Sequence, residues 1–232
     1  MRNATIVLLL DIIAPKDENG KYLFNIPETV DIELFNGDLT KLLNGEEIRI
    51  PEFNFITGER EYKRPPISLK DRDVLIIEGL HSLNEKMTYS IEREKKYKIY
   101  VSPFTPLAMD RHNHIPTIDL RLIRMMVRDN RTRGRNAIVT FDNFKEVREN
   151  EEKYIYPWQK DSDAVLNTAL IYELGMLKTY VLPVLMAVKR DSEYYKDAIR
   201  IINFLKNVVP IQSEFLPNMS ILREFIGQGY FE

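Results

Sequence analysis

The sequence predicts an α/β fold, a parallel sheet flanked by helices and followed by a helical C-terminal extension. Three observations carry this. Ala4 to Ile13 and Val74 to Ile77 are continuous runs rich in Ile, Val and Leu, bounded by Pro15 and Asn19-Gly20 in the first case and by Asp73 and Glu78-Gly79 in the second. Such runs mark strands buried on both faces, the habit of parallel sheets. Tyr97 to Val101 alternates more and reads as a third strand nearer an edge. Helical patterns fill the intervals, as parallel strands require of their connections.

Pro27 opens a helical pattern in which Ile32, Leu34, Phe35, Leu39, Leu42 and Leu43 are apolar and Asn44-Gly45 is the stop. Glu46 to Ile50 alternates and is predicted as a strand ending at Pro51. Phe53 to Pro66 holds aromatics, Asn54, Gly58 and a Pro-Pro pair, the composition of a hairpin or loop outside the main sheet. Further helices are predicted over 117–131, 169–180, 193–207 and 220–226, the last with Ser220 as N-cap and Gly227 as stop. No internal repeat and no Gly- or Ser-rich linker divides the chain. It is read as one domain, 1–189, with a helical extension, 190–232, packed on it.

The chain has 232 residues, 33 Lys plus Arg against 35 Asp plus Glu, and 44% hydrophobic residues, enough for a full core and incompatible with a disordered or fibrous class. A net charge of −2 argues against nucleic acid as the main partner and turns attention to local charge. With no cysteine there is no disulfide, thiolate nucleophile or Cys-ligated metal, which suits a reducing cytoplasm. The apolar run Ile6 to Leu10, cut by Asp11, is too short for a signal or a membrane span. A cytoplasmic protein with no membrane partner is therefore expected.

The chemistry concentrates between Leu120 and Arg135. At 100° per residue, Arg121, Arg124, Arg128 and Arg131 fall within an arc of about 80° beside the apolar stripe of Leu120, Ile123 and Val127. Arg133 and Arg135, flanking Gly134, extend the positive charge past the helix end. The nearby acids Asp119 and Asp129 point elsewhere by the same arithmetic, so the stripe either binds an outside anion or pairs with acids from distant segments. Arginine suits phosphate because its planar fork donates two parallel hydrogen bonds and stays charged when water is excluded.

Glu78 ends the Val74 to Ile77 run, at the strand edge where open α/β sheets bind ligands. A carboxylate there can hold Mg²⁺ directly or through water, or can merely cap the helix expected at His81-Ser82. Phe53 and Phe55 share one face of an extended segment and can clamp a flat ring or cover the core. Asp110-Arg-His112-Asn-His114 holds two of the three histidines, without a third beside them, and reads as a structural turn rather than a metal site. Tyr154, Tyr156 and Trp158 read as core or lid packing. No G-x-x-x-x-G-K-[ST] occurs in the 232 residues, and no Ser-His-Asp or zinc spacing appears.

Taken in order, these pieces resemble the uridine kinase and phosphoribulokinase family of P-loop kinases, within it the bacterial uridine kinase-like proteins that carry an N-terminal TGS-type module. The resemblance rests on Pro15-Lys-Asp-Glu-Asn-Gly20, Phe24-Asn-Ile-Pro-Glu-Thr-Val-Asp31, Leu42-Leu-Asn-Gly45, Ile50-Pro-Glu-Phe-Asn-Phe55, Ile76-Ile-Glu-Gly79, Val127-Arg-Asp129, Arg133-Gly-Arg135 and Ile221-Leu-Arg-Glu-Phe-Ile-Gly227. It implies a P-loop kinase-like sheet, with ATP and Mg²⁺ as cofactors and phosphoryl transfer to a hydroxyl of a nucleoside or sugar. Carried over, Glu78 is the acid and metal ligand of the Mg²⁺–nucleotide site, and Asp11 resembles the catalytic Asp after the family's second strand. Arg128 and Arg133 act as lid arginines in catalysis, while Arg124 and Arg135 meet the nucleotide's phosphates. Phe53 and Phe55 match the aromatic pair that sandwiches the base, and Asn25 stands where the family has a ribose-binding Asp.

The chain also departs from the pattern. Asn25 lacks the carboxylate, Gly58 replaces a base-reading His, and Met125 replaces a frequent Arg. The spacing from Asp11 to Pro15 is several residues short, and the chain begins after the point where the family's P-loop should lie. The expectation is an N-terminally truncated kinase-like domain, impaired in turnover, with exposed apolar surface near Ile6–Leu10 and a tendency to form homo-oligomers. The alternative is a non-catalytic phosphate- or nucleotide-binding module that uses the arginine face of the helix over 117–131.

Overall fold

The computed structural model describes residues 5–9, 26–54, 59–105 and 107–230, together with Pro15, Glu18 and Gly20. The chain is a mixed α/β protein that packs as two compact units, one formed by Met1–Tyr100 with Glu149–Val165 and the other by Val101–Arg148 with Leu166–Glu232. The division does not fall at residue 190, because the segment 190–232 shares a unit with 101–148 and 166–189.

In the first unit, β1 (Thr5–Leu9) and β4 (Val74–Glu78) pair in parallel, Thr5 opposite Val74 and Leu9 opposite Glu78. The connection between them contains α1 (Ile32–Leu43) and the antiparallel pair β2 (Glu52–Asn54) and β3 (Glu59–Glu61), with Phe53 opposite Arg60. The helical pattern that opens at Pro27 forms a single 3₁₀ turn, Pro27–Thr29, before α1 begins. Asp31 caps α1, accepting the Leu34 N–H at 3.1 Å, and Gly45 ends it with φ of 79°. The predicted strand over 46–50 shrinks to one bridge between Ile48 and Ile67. Two features prevent a longer ladder: Lys41 O already takes the Glu46 N–H at 2.9 Å, and Pro65 and Pro66 have no N–H to offer.

Phe35, Leu39 and Leu42 of α1 form a core with Ile48, and Leu75 and Ile77 of β4 pack against it. The alternation of a strand turns Val74 and Ile76 to the opposite face, where they are 53% and 45% exposed. The run is thus covered on one face, not on both as its composition predicts. The expected apolar exposure at Ile6–Leu10 concerns side chains outside the described residues. A buried Asn36 ties α1 to the chain beyond β4, donating to Met87 O at 3.1 Å and accepting the Ser90 N–H at 3.0 Å.

The second unit is helical. Leu120, Ile123 and Met126 of α2 (Thr117–Arg133) meet Leu177, Val181 and Leu185 of α5 (Glu173–Met186) and Ile201 and Leu205 of α6 (Tyr195–Lys206) in one core. Leu222 and α7 (Arg223–Ile226), through Phe225 and Ile226, close that core. Gly175 lets α5 approach the 209–211 segment: a Cβ there would lie 2.7 Å from Val209 O. Strand β5 (Ile99–Ser102) pairs with β6 (Ala164–Asn167), and the chain passes from one unit to the other within β5, β6 and the helix α3 (Ala137–Tyr154). The single turn α4 (Tyr156–Gln159), with Pro157 in its first turn, separates α3 from β6. Among the described residues no helix is long and apolar enough to cross a membrane.

Candidate functional site

Helix α2 runs uninterrupted because no Gly or Pro breaks it before Gly134, whose φ of 61° and N–H to Asp129 O close its C-terminus. Its buried face carries the predicted Leu120, Ile123 and Val127. The arginines beside that face are held in three different ways.

Arg124, predicted to meet a nucleotide phosphate, is 7% exposed and lies in the core of its unit. Its Nη2 sits 2.6 Å from Glu173 Oε2, its Nε donates to the same oxygen at 2.8 Å, and Nη2 also donates to Thr168 O at 2.8 Å. Its guanidinium carbon stands 5.3 Å from the Phe225 ring centroid. Glu173 is itself buried and accepts the Leu170 N–H at 3.0 Å through its other oxygen. Burial pushes the Glu173 carboxyl above the usual carboxylate range, against the opposing pull of Arg124.

Arg133 and Arg135 fold back from the helix end onto one acid. The fully buried Asp129 accepts from Arg133 Nη1 at 2.7 Å and from Arg135 Nη1 at 3.1 Å. The helical-wheel expectation that Asp129 points away from the positive face fails here, because Arg135 lies beyond the last turn and Arg133 stands at i+4. Asp119, the other acid set aside, takes both Nη groups of Arg200 at 2.6 and 2.8 Å. Acids from distant segments, Glu173 and Glu224, meet Arg124 and Arg128.

Arg128 and Arg131 face α7. Arg131 donates to Phe225 O at 3.0 Å and Glu224 O at 2.9 Å, satisfying carbonyls that a helix end leaves open. Among the described residues the Arg128 side chain makes one hydrogen bond, Nη1 to Glu224 Oε1 at 3.3 Å, and its buried Nε has no partner.

In the first unit Glu78 stands exposed at the C-terminal end of β4. It does not cap the next segment: Gly79 opens a turn by accepting the Ser82 N–H, and Asn84 caps the 3₁₀ segment Glu85–Thr88 through the Lys86 N–H at 3.0 Å. The capping alternative is thereby closed, and no hydrogen bond or ion pair engages the Glu78 carboxylate among the described residues. Mg²⁺ is commonly held by one or two carboxylates and completed by substrate phosphate oxygens and water, a donor set that Glu78 fits. No cluster of three His, Asp or Glu side chains occurs among the described residues to make an all-protein cage.

Asp31 is a residue that sequence reasoning missed. Besides capping α1 it accepts Arg60 Nη2 at 2.9 Å, so the β2–β3 hairpin is pinned to the start of α1. The Leu34 N–H, with Arg60, holds its carboxyl below the usual range. An acid immediately before an apolar-periodic run was the signal available for it. Phe53 lies in β2 opposite Arg60, with its side chain outside the described residues; Asp11, Asn25 and Phe55 are outside them altogether. Asp110 forms a turn, accepting the backbone N–H groups of His112 and Asn113 at 2.8 and 2.9 Å. A cleft of about 580 Å³ opens in the second unit at the start of α3, lined by Ala137, Val184, Val188, Lys189 and Ser192, and none of the predicted site residues lines it.

Residues 12–171 match the Phosphoribulokinase / Uridine kinase family. The chain belongs to that family. Uridine kinases of Staphylococcus aureus strains JH9 and Newman are each 26% identical to it over 151 residues, covering 65% of this chain and 64% of the relative. The chain therefore spans just under two thirds of the length of these relatives. As a uridine kinase-related protein it has Glu78, Arg124, Arg128, Arg133 and Arg135 inside the matched span; Asp11 falls one residue before it and α7 beyond it.

Proposed function

We propose that this chain serves an ATP- and Mg²⁺-dependent transfer of a phosphoryl group to a hydroxyl of a nucleoside or sugar, in a cytoplasmic setting. The observation that carries the reading is the Glu78 carboxylate, exposed at the end of β4 and without a partner among the described residues, in a chain of this family. Glu78 would hold Mg²⁺, which when bound would neutralise charge on the nucleotide's phosphates. Arg128 donates to phosphate, and Arg133 and Arg135, with side chains 47% and 38% exposed, add positive charge at the end of α2. Asp129 orients both of them. Arg124 is assigned to positioning, since it fastens α2 to the start of α5. The β2–β3 hairpin, which contains Phe53, is anchored by Asp31 and Arg60; by the family resemblance Phe53 and Phe55 take the acceptor's base, Asn25 its ribose, and Asp11 the place of the catalytic acid.

These 232 residues encode no Walker A cradle. Removing one aligned donor from such an electrostatic site costs about 3–4 kcal/mol of transition-state stabilisation, so turnover by these residues alone is expected to be very slow. The second reading, a phosphate- or nucleotide-binding module without catalysis, is favoured by the end of α2, where the part-exposed Arg133 and Arg135 gather positive charge.

Calorimetric titration with Mg-ATP, with and without uridine, tests the proposal in the wild-type chain, Glu78→Gln and Arg128→Ala. Binding weakened at least about five-fold in each variant is expected, an effect of roughly 1 kcal/mol. Wild-type affinity in Glu78→Gln would overturn its metal role, and wild-type affinity in Arg128→Ala its phosphate role. Phosphoryl transfer to uridine above background would overturn the non-catalytic reading.

A further inference from the structure

Arg128 is held more weakly than Arg124, Arg131, Arg133 and Arg135. Its guanidinium carries five N–H donors, yet its one hydrogen bond among the described residues is 3.3 Å long, while Arg124, Arg131, Arg133 and Arg135 are held at 2.6–3.1 Å. The Nε of Arg128 is buried with no hydrogen-bond partner among the described residues. Its partner is equally loose on its own side, the Glu224 side chain being 56% exposed. The backbone beneath Glu224 is fixed, because Phe225 and Ile226 are buried in the core and Arg131 takes the carbonyls of Glu224 and Phe225. The carboxylate can therefore leave Arg128 by rotating its side chain while α7 stays in place.

We infer that Glu224 is an internal counter-anion that occupies Arg128 until a phosphate of the bound ligand replaces it, so that Glu224 is a positioning residue setting the affinity of the arginine face. The inference rests on the assignment of Arg128 to phosphate binding. Glu224 meets Arg128 through one oxygen in a solvent-exposed pair, the weakest class of ion pair. A phosphate accepts two parallel N–H bonds from an arginine fork and carries more charge, so the exchange favours the ligand. The cost of displacing Glu224 is then a small, uniform penalty on every phosphate ligand of this site, worth about two- to five-fold in affinity.

The probe is inorganic tripolyphosphate, titrated calorimetrically into the full chain and into Glu224→Gln, Arg128→Ala, the double variant and Glu214→Gln. Glu214 is an exposed acid outside α7 and controls for net charge. Glu224→Gln is expected to bind two- to five-fold more tightly than wild type, Glu214→Gln to match wild type, and the double variant to match Arg128→Ala. The inference is overturned by equal affinity of wild type and Glu224→Gln, by an equal gain in Glu214→Gln, by a gain that survives Arg128→Ala, or by no binding to any variant. Mg-ATP titrations separate the two levels of failure. An Arg128→Ala chain that binds Mg-ATP like wild type removes the phosphate role of Arg128 itself, whereas a weakened Arg128→Ala with an unaltered Glu224→Gln removes Glu224 alone. A melting temperature of Glu224→Gln within about 2 °C of wild type excludes an effect through folding.

Discussion

Arg124 and Arg128 stand about one turn apart on α2, and burial gives them opposite energetic weights. Arg124→Ala strands Glu173 in the core without a counter-charge and is expected to cost about 3–5 kcal/mol, whereas Arg128→Ala opens an exposed pair and costs less than about 1 kcal/mol. Urea unfolding of both variants at pH 7 checks the contrast, and equal losses would contradict the burial argument. The Glu173 carboxyl is raised by burial, so its contribution to stability is fully present below its unfolded value and falls as pH rises through its folded value. Without Arg124 it rises further. The loss in Arg124→Ala is therefore expected to shrink as the solution is acidified from pH 7 toward 5. Tyr194 offers a separate test. Its hydroxyl donates to Asp142, which, with burial, pushes its pKa up to about 12. The protonated phenol is the bonded form, so its stabilisation is complete below about pH 10, the ordinary tyrosine value, and is lost as pH rises through the folded value. An absorbance titration should lose its highest component in Tyr194→Phe and shift it downward in Asp142→Asn; a curve unchanged by both would break the assignment.

At the scale of elements, β4 carries two chemically similar residues with different surroundings. Ile77 packs toward α1, while Ile76 is 45% exposed on the other face. Ile76→Lys is expected to change stability by less than about 0.5 kcal/mol and Ile77→Lys to cost several times more, read from the midpoint of urea unfolding. A large loss at Ile76 would mean that its face is covered. Asp31→Ala is expected to cost about 1 kcal/mol for the cap of α1, plus the anchor to Arg60. Elements with a clear period were legible in the sequence: α2 over 117–131, α6 over 193–207 and the strand at Val74 all lie where their apolar spacing predicts. Helix α3 was not, because Ala137, Phe141 and Phe144 are its only buried hydrophobic residues and Ile138 and Val139 are exposed. Helix α5 begins at Glu173 and continues through Pro183 to Met186, six residues past the predicted end at Tyr180. Proline reads as a helix stop, but the burial of Val181 and Leu185 outweighs the lost N–H. At the candidate site the arginine stripe was legible in composition, while its partners were not. Glu173 is 49 residues from Arg124 and Glu224 is 96 residues from Arg128, separations that no local pattern spans. Glu78 was legible as an acid at a strand end, but the absence of a cap role appeared only when Asn84 was seen to fill it.

The whole molecule is organised against sequence order, since each compact unit takes two separate stretches of chain. In the first unit the returning stretch is bonded in. Asp163 accepts Arg93 Nη2 at 2.6 Å and the Lys98 N–H at 2.7 Å, and Lys98 O accepts the N–H groups of Asp163 and Ala164 at 2.8 and 3.1 Å. The Asp163 carboxyl is held below its usual range by Arg93 and by the Lys98 N–H. A fragment ending at Tyr100 would lose all of these partners at once, leaving the Lys98 N–H and C=O without the groups that order them and the Arg93 guanidinium without its carboxylate. Stability of a domain is a small difference between large terms, so removing a set of hydrogen bonds together with the packing of residues 149–165 exceeds what such a margin tolerates. Residues 1–100 alone are therefore expected to show no cooperative thermal transition by circular dichroism, and the same fragment joined to 149–165 through a flexible linker is expected to regain one. A sigmoidal melt of the shorter fragment within a few degrees of the full chain would show that the first stretch folds without its return, and that the bonds around Asp163 contribute little to the unit they close.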